Sequence, residues 1–172
     1  MTLTGDGQSV ENVAIGYEGA SIFQPSASLK LITQHPGEAL RMPRTAYQKH
    51  MGDAEFREVM MHYHERLLAT ACQSALCQAF HTAEERLAHW LLVMQDRARS
   101  EELPLTQDFL ATMLGVQRPT VTIAARLLQA SELINYRYGR VTIRDREGLR
   151  NAACECYGQG LLATPRDGLT PA

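Results

Sequence analysis

Arg118, Thr120, Thr122 and Arg126 fall in one short stretch and carry the side chains that suit contact with a nucleic-acid duplex. A guanidinium can bond bidentately to the O6 and N7 of guanine, and threonine can meet a thymine methyl or a phosphate. Arg126, further along, suits a phosphate. A second group, Arg137 and Arg140, brackets Tyr138-Gly139. Arginine and threonine are equally at home on the solvated face of an ordinary helical hairpin, so the elements that carry them must decide.

Those elements are legible between Leu105 and Arg144. Thr106 is an N-cap for a first helix, with Gln107 and Asp108 in its opening turn, where negative charge suits the helix dipole. Phe109, Leu110, Met113 and Leu114 share an apolar face, and Gly115 is a left-handed stop. Val116 plugs the corner. After Gln117, Pro119 sits in the first turn of a second helix, whose buried side is read as Val121, Ala124, Ala125, Leu127 and Leu128. Arg118, Thr120, Thr122 and Arg126 then lie at its exposed face and N-terminal end. Tyr136–Ile143 places two strand-suited runs around a glycine turn, forming a wing that carries Arg137 and Arg140. A helix projecting from a rigid pair is shaped to enter a major groove.

The chain has 172 residues and a formal net charge of −2, which alone argues against nucleic acid. The charge is uneven. Residues 104–150 hold seven arginines (118, 126, 137, 140, 144, 146, 150) against four acids (Asp108, Glu132, Asp145, Glu147), so a basic module sits on an acidic body.

Four pieces in order, EERLAHWLL (Glu84–Leu92), LPLTQDFLATMLGVQRPTV (Leu103–Val121), LINYRYGRVTI (Leu133–Ile143) and ACECYG (Ala153–Gly158), resemble the C-terminal half of a Crp/Fnr-type bacterial transcription regulator. The resemblance implies a winged helix-turn-helix domain, dimeric binding to inverted repeats of double-stranded DNA and, in some members, contact with RNA polymerase. It matches Arg118 to a guanine-reading arginine and Thr120 and Arg126 to backbone contacts. Thr106 and Gln107 match the start of the preceding helix, which often touches phosphate. Gln117 is counted among the DNA-contacting residues although it departs from the Ser or Thr usual at that corner, and Ile123 stands where some members carry a second base-reading Arg.

Upstream, Asp53 to Phe80 reads as one long helix without Gly or Pro. Phe56, Met60, Tyr63, Leu67, Thr70, Ser74 and Cys77 follow the four-three alternation of a helix-pairing seam. The period alone also fits a helix packed on its own domain. The resemblance places a dimerisation helix here, which would set two readers roughly 34 Å apart, one DNA turn. Thr82 to Glu85 forms a capping box opening a new helix, with Leu87, Trp90, Leu91 and Met94 on its buried face and His81 at the hinge.

Residues 1–52 differ. Val10–Ile22 and Leu29–Met42 contain short strand-suited runs broken by Gly19, Pro25 and Pro36-Gly37. Ala39–Pro43 reads as a last strand and Thr45–Met51 as a short helix; Met1–Ser9 is polar and expected to lack order. The block resembles the closing part of the family's jelly-roll sensor domain, of which a full copy needs about twice this length. It is read as a remnant, a truncated form or a fragment completed elsewhere. The family's cyclic-nucleotide cassette pairs a Gly-Glu segment with an arginine; Gly16-Tyr17-Glu18-Gly19 faintly matches the first half, but no arginine follows before Arg41. Without that charge-assisted contact no cyclic nucleotide is expected.

Cys72 and Cys77 lie five apart on the long helix, and Cys154 and Cys156 bracket Glu155. Neither pair has the tight loop spacing of a metal or iron–sulfur site, so no cofactor or metal is expected. His62, His64, His81 and His89 read as surface or packing residues. The order of Ser, His and Asp offers no catalytic triad, and the expectation is a non-enzyme. No apolar run reaches the length of a membrane span and no signal peptide is seen, which points to a cytoplasmic protein.

The expected architecture is α+β, mainly α: a partial β-roll remnant over 1–52, a dimerisation helix over 53–80, a winged helix-turn-helix domain over 81–158 and a flexible tail over 159–172. The function expected is a dimeric, sequence-specific DNA-binding regulator. Two alternatives stand beside it: a winged protein-interaction module that has lost DNA binding, and a redox-gated regulator using Cys154 and Cys156.

Overall fold

The computed structural model describes residues 2–3, 9–10, 32–34 and 40–158. Its architecture is α+β and mainly α, as expected. Near the start, β1 (Thr2–Leu3) and β2 (Ser9–Val10) pair antiparallel, with Thr2 opposite Val10. The expectation of no order over Met1–Ser9 is corrected to that extent: the backbone pairing needs no apolar pattern, so the polar sequence hid it. Gly16–Gly19, most of the strand-suited runs of the first domain, and the tail from residue 159 lie outside the described residues.

Leu40–Pro43 is not the last strand that its alternation suggests. No strand among the described residues pairs with it, Leu40 is fully exposed, and the run leads into α1 (Arg44–His50) with Pro43 at the N-cap. Phe56 joins α1 to the next helix through ring contacts with Tyr47 and His50, at centroid distances of 5.8 Å and 5.4 Å.

The long helix α2 spans Ala54–Phe80, capped by Asp53, whose carboxylate accepts from the Glu55 N–H at 3.0 Å. At 27 residues it is about 40 Å long. It ends one residue before the Thr82 capping box, in which Thr82 and Glu85 each accept from the other's backbone N–H. The two signals back to back produce a sharp break at His81.

From there the chain builds one core. Leu87, Leu91 and Leu92 of α3 (Ala83–Ala98), Leu110 of α4 (Gln107–Leu114), Val121 and Leu128 of α5 (Arg118–Ala130) and Leu149 of α6 (Arg146–Ala152) are all essentially inaccessible. Each such side chain stabilises the fold by about 1.5–3 kcal/mol through burial. Trp90 meets Phe109 edge to face. A three-stranded antiparallel sheet of order β3-β5-β4 closes the core, from β3 (Glu102–Pro104), β4 (Ile134–Arg137) and β5 (Arg140–Ile143). Leu103 lies opposite Val141, and Ile134 opposite Ile143.

Neither β3 nor α6 is apparent in the sequence pattern. The strand has three residues and ends in a proline tolerated only because it is an edge. The helix is short, and its one clear signal is Asp145, which accepts from the Gly148 N–H at 2.9 Å. A Cβ on Gly148 would stand 2.4 Å from Asp145 Oδ2 and 2.6 Å from Leu133 Cδ2, so a larger residue here would have to push aside the ends of those two side chains.

Leu127 corrects one expectation: it is 48% exposed. The buried stripe is Val121, Ala124, Ala125 and Leu128, at steps of three, one and three residues, and Leu127 falls on the adjoining row with the exposed Ile123.

Candidate nucleic-acid interface

The corner between α4 and α5 forms as its residues dictate. Thr106 Oγ1 accepts from the Phe109 N–H at 3.2 Å, opening α4. Gly115 closes it at φ 62, where a Cβ would be strained. The Arg86 guanidinium reaches from α3 to the Leu114 carbonyl, holding the last turn of α4 from below. Burial pulls that guanidinium's pKa below its ordinary value. Nothing in the local pattern announces this role for Arg86; its partner is 28 residues away.

Gln117 is the N-cap of α5 without a side-chain cap, and Arg118 and Pro119 follow in the first turn. The Arg118 side chain is 63% exposed and its Nη1 stands 3.6 Å from Asp108 Oδ2. An exposed pair at that distance is weak, and Asp108 orients the guanidinium more than it sequesters it. Arg126 is exposed two turns along. Thr120 is half-buried. The Thr122 hydroxyl is shared between Gln107 Oε1 at 2.9 Å and the Arg118 carbonyl at 3.1 Å. Thr122 and Gln107 therefore tie α5 to α4. Ile123, 60% exposed, lies beside this row.

The wing packs close by. Tyr138 and Gly139 both have positive φ, 49 and 72, which makes a two-residue turn whose twist matches the strands. Gly139 lies against Thr106, since a Cβ there would stand 3.6 Å from the Thr106 methyl. Tyr136 donates to the Leu105 carbonyl at 2.9 Å, fixing β4 to the entry of α4; burial raises its pKa. Arg137 is exposed, and Tyr138 at the tip is fully exposed. Arg140 pairs with Glu102 across β5 and β3 while remaining 63% exposed. Tyr138 was missed by sequence reasoning, because a tyrosine in a left-handed turn has no local signature.

The row on α2 is placed differently from a free seam. Met60, Leu67 and Cys77 are buried within the single chain, and Phe56, Tyr63, Thr70 and Ser74 are half-buried. Met61 and Leu68, each one residue beyond the buried Met60 and Leu67, and Leu76 are 52%, 66% and 51% exposed.

The cysteines converge, contrary to the reading of their spacing. Cys77 Sγ lies 3.5 Å from Cys154 Sγ, His89 Nδ1 lies 3.3 Å from Cys154 Sγ, and His81 Nε2 lies 3.4 Å from Cys156 Sγ. Convergence runs between the two sequence pairs, which the spacing within each pair could not reveal. Cys72 is exposed and apart. The hydrogen bond with Cys154 lowers the Cys77 thiol, while that same contact together with burial pushes Cys154 up to about 12; burial raises Cys156. Arg146 holds the segment after α6 in place through Asp96 at 2.6 Å and the Tyr157 hydroxyl at 2.8 Å.

No described helix is long and apolar enough to cross a membrane. Residues 85–152 match the family model of the Crp-like helix-turn-helix domain. The solved structure of a Crp/Fnr-family transcriptional regulator from Thermus thermophilus is similar at 27% identity and TM-score 0.55, covering 59% of this chain and 55% of that one. FixK2 from Bradyrhizobium japonicum shares the fold at 24% identity and TM-score 0.58, over 64% of this chain and 59% of that one. A second regulator from Thermus thermophilus, of the Crp family, does so at 19% identity and TM-score 0.54, over 61% and 57%. The matched part thus spans little more than half the length of these structures. No curated protein matches the chain.

Proposed function

We propose, from the premise that residues 85–152 are a Crp-like helix-turn-helix domain, that this chain is a sequence-specific DNA-binding transcription regulator acting as a homodimer on an inverted-repeat operator. One observation carries the reading: Arg118 stands in the first turn of α5 with 63% of its side chain exposed, on the end of the domain where α4 begins and the wing packs. In that reading α5 enters the major groove and Arg118 bonds a guanine. Arg126 from α5, Thr106 and Gln107 from α4, and Arg137 and Arg140 from the wing face the phosphates. Thr120 joins Arg126 in holding the DNA backbone, and Thr122 supplies a short contact while bonded to Gln107. Exposed Ile123 offers an apolar surface to a thymine methyl. No catalytic step belongs to this proposal.

The dimer forms along α2. Because Met60 and Leu67 are already covered within one chain, the exposed row of Met61, Leu68 and Leu76 is the better seam for a second copy. Substituting Leu68→Glu should give a monomer in sedimentation. A dimer that survives it, but not a charge at Ser74 or Thr70, would return the seam to the row expected from the four-three alternation.

The test of the whole is a titration against a randomised palindromic duplex library at two salt concentrations. A regulator selects a motif and loses affinity steeply with salt. An interaction module selects nothing and shows a flat salt response.

A further inference from the structure

We infer that Cys77, Cys154 and Cys156, joined by one imidazole from His81 and His89, form a tetrahedral site for a borderline-soft divalent cation of the Zn2+ class. The five side chains come from three places: the end of α2 and its hinge, the second turn of α3, and the segment after α6. Cys154 is common to two groups of donor atoms, one with Cys77 and His89 and one with His81 and Cys156, each lying within 4.8 Å of one another.

Three of the separations come close to those of a coordination shell. With metal–sulfur bonds of about 2.3 Å and metal–nitrogen bonds of about 2.0–2.1 Å, tetrahedral edges come to about 3.6–3.8 Å. The contacts between Cys77 and Cys154, Cys154 and His89, and Cys156 and His81 are 3.5, 3.3 and 3.4 Å. Cys77 and Cys156 belong to separate groups joined through Cys154, so completing four ligands requires one of them to swing toward the other group by a rotamer change. The donor set is soft, with all three cysteines less than a tenth exposed, which favours zinc over magnesium or calcium. An outer partner is also in place: the Gln73 amide donates to Cys156 Sγ at 2.9 Å, the kind of contact that orients a ligand and steadies a thiolate. A Cys77–Cys154 disulfide would use two of the five groups and leave the other sulfur and both imidazoles gathered without a role.

The consequence is mechanical. An ion at this place fastens the break at His81, where the long helix meets the winged domain, and so sets the angle at which α5 is presented. That consequence rests on the regulator reading; the occupancy of the site does not.

The test uses the full chain, reduced and stripped with a chelator, titrated with Zn2+ and separately with Co2+. One equivalent of zinc should be retained per chain, and cobalt should give thiolate charge-transfer absorption with the intense visible bands of a tetrahedral ion. Cys154→Ser should weaken zinc by at least about a hundredfold. Cys72→Ser should change nothing, and one of His81→Gln and His89→Gln should weaken binding while the other does not. Failure of the reduced wild type to retain zinc overturns the inference, whether or not Cys154→Ser folds. So does a weak octahedral cobalt spectrum, a Cys154→Ser chain that binds like wild type, or indifference to both histidine changes. Metal binding without any selection of DNA would instead count against the regulator reading and leave the site standing.

Discussion

The two ends of the winged domain are built on opposite terms. At the reader end, Arg118, Arg126, Arg137 and Arg140 are exposed, and two of them rest on exposed acids, Asp108 and Glu102. Such pairs contribute little stability and can be exchanged for phosphates at small cost. At the hinge end, Cys77, Cys154 and Cys156 are buried among side chains from three elements, and Arg146 and Tyr157 share Asp96 to hold the segment after α6. In the proposed reading, one end meets DNA and the other fixes an angle inside. Substitutions should therefore separate into those that change recognition and leave stability alone, and those that do the reverse.

The largest effect should come from the scaffold that both ends share. Leu128, fully buried on α5, belongs to the domain's core. Leu128→Ala is expected to lower unfolding free energy by about 2–5 kcal/mol in denaturant titration. DNA affinity per folded molecule should hardly move. A loss of recognition without a loss of stability would mean that α5 is not held by this core.

Next comes Arg118→Ala. It should cost about 1–3 kcal/mol on the preferred operator, relax preference at one base pair, and leave stability within about 0.5 kcal/mol. Equal losses on selected and random duplexes would deny it a reading role. Arg126→Ala is the contrast within the same helix: all sequences should weaken alike, and the slope of log affinity against log salt should flatten by about one contact. If Arg126→Ala sharpened or shifted the selected motif, the division between reading and holding would fall.

The same contrast explains what the sequence could disclose. The reader end is written in neighbouring residues: Thr106 before its helix, Gly115 after it, Pro119 in the next first turn, and Gly139 between two strand-suited runs. Each is a local rule, and each holds in the structure. The hinge end is written at a distance. Cys77 and Cys154 are 77 residues apart, and each sequence pair alone has the wrong spacing for a site. The Arg86 bond to the end of α4 is likewise invisible to periodicity, as is a three-residue edge strand such as β3. Leu127 shows the limit even within a helix: of the adjacent Leu127 and Leu128 only Leu128 is buried, and pattern alone does not choose between them.

The smallest expected effect lies at the joint between the two ends. Thr82 and Glu85 close the first turn of α3, and the Glu85 carboxylate accepts from the Thr82 N–H and hydroxyl, both at 2.8 Å. The Thr82 backbone contact, then its hydroxyl, hold the Glu85 carboxyl below the ordinary carboxylate range. A carboxylate depressed in the folded state binds its proton more readily when unfolded. Its contribution is therefore complete above the unfolded pKa and fades as pH falls through the folded one. Thr82→Ala should cost about 1 kcal/mol at neutral pH. Glu85→Gln removes the titrating group, so its deficit against wild type should stay level at neutral pH and shrink on acidification through the carboxylate range. A deficit that stayed constant into strong acid would show that the charge of Glu85 does not hold this turn, and would leave the start of α3 to Thr82 and the packing of Leu87 alone.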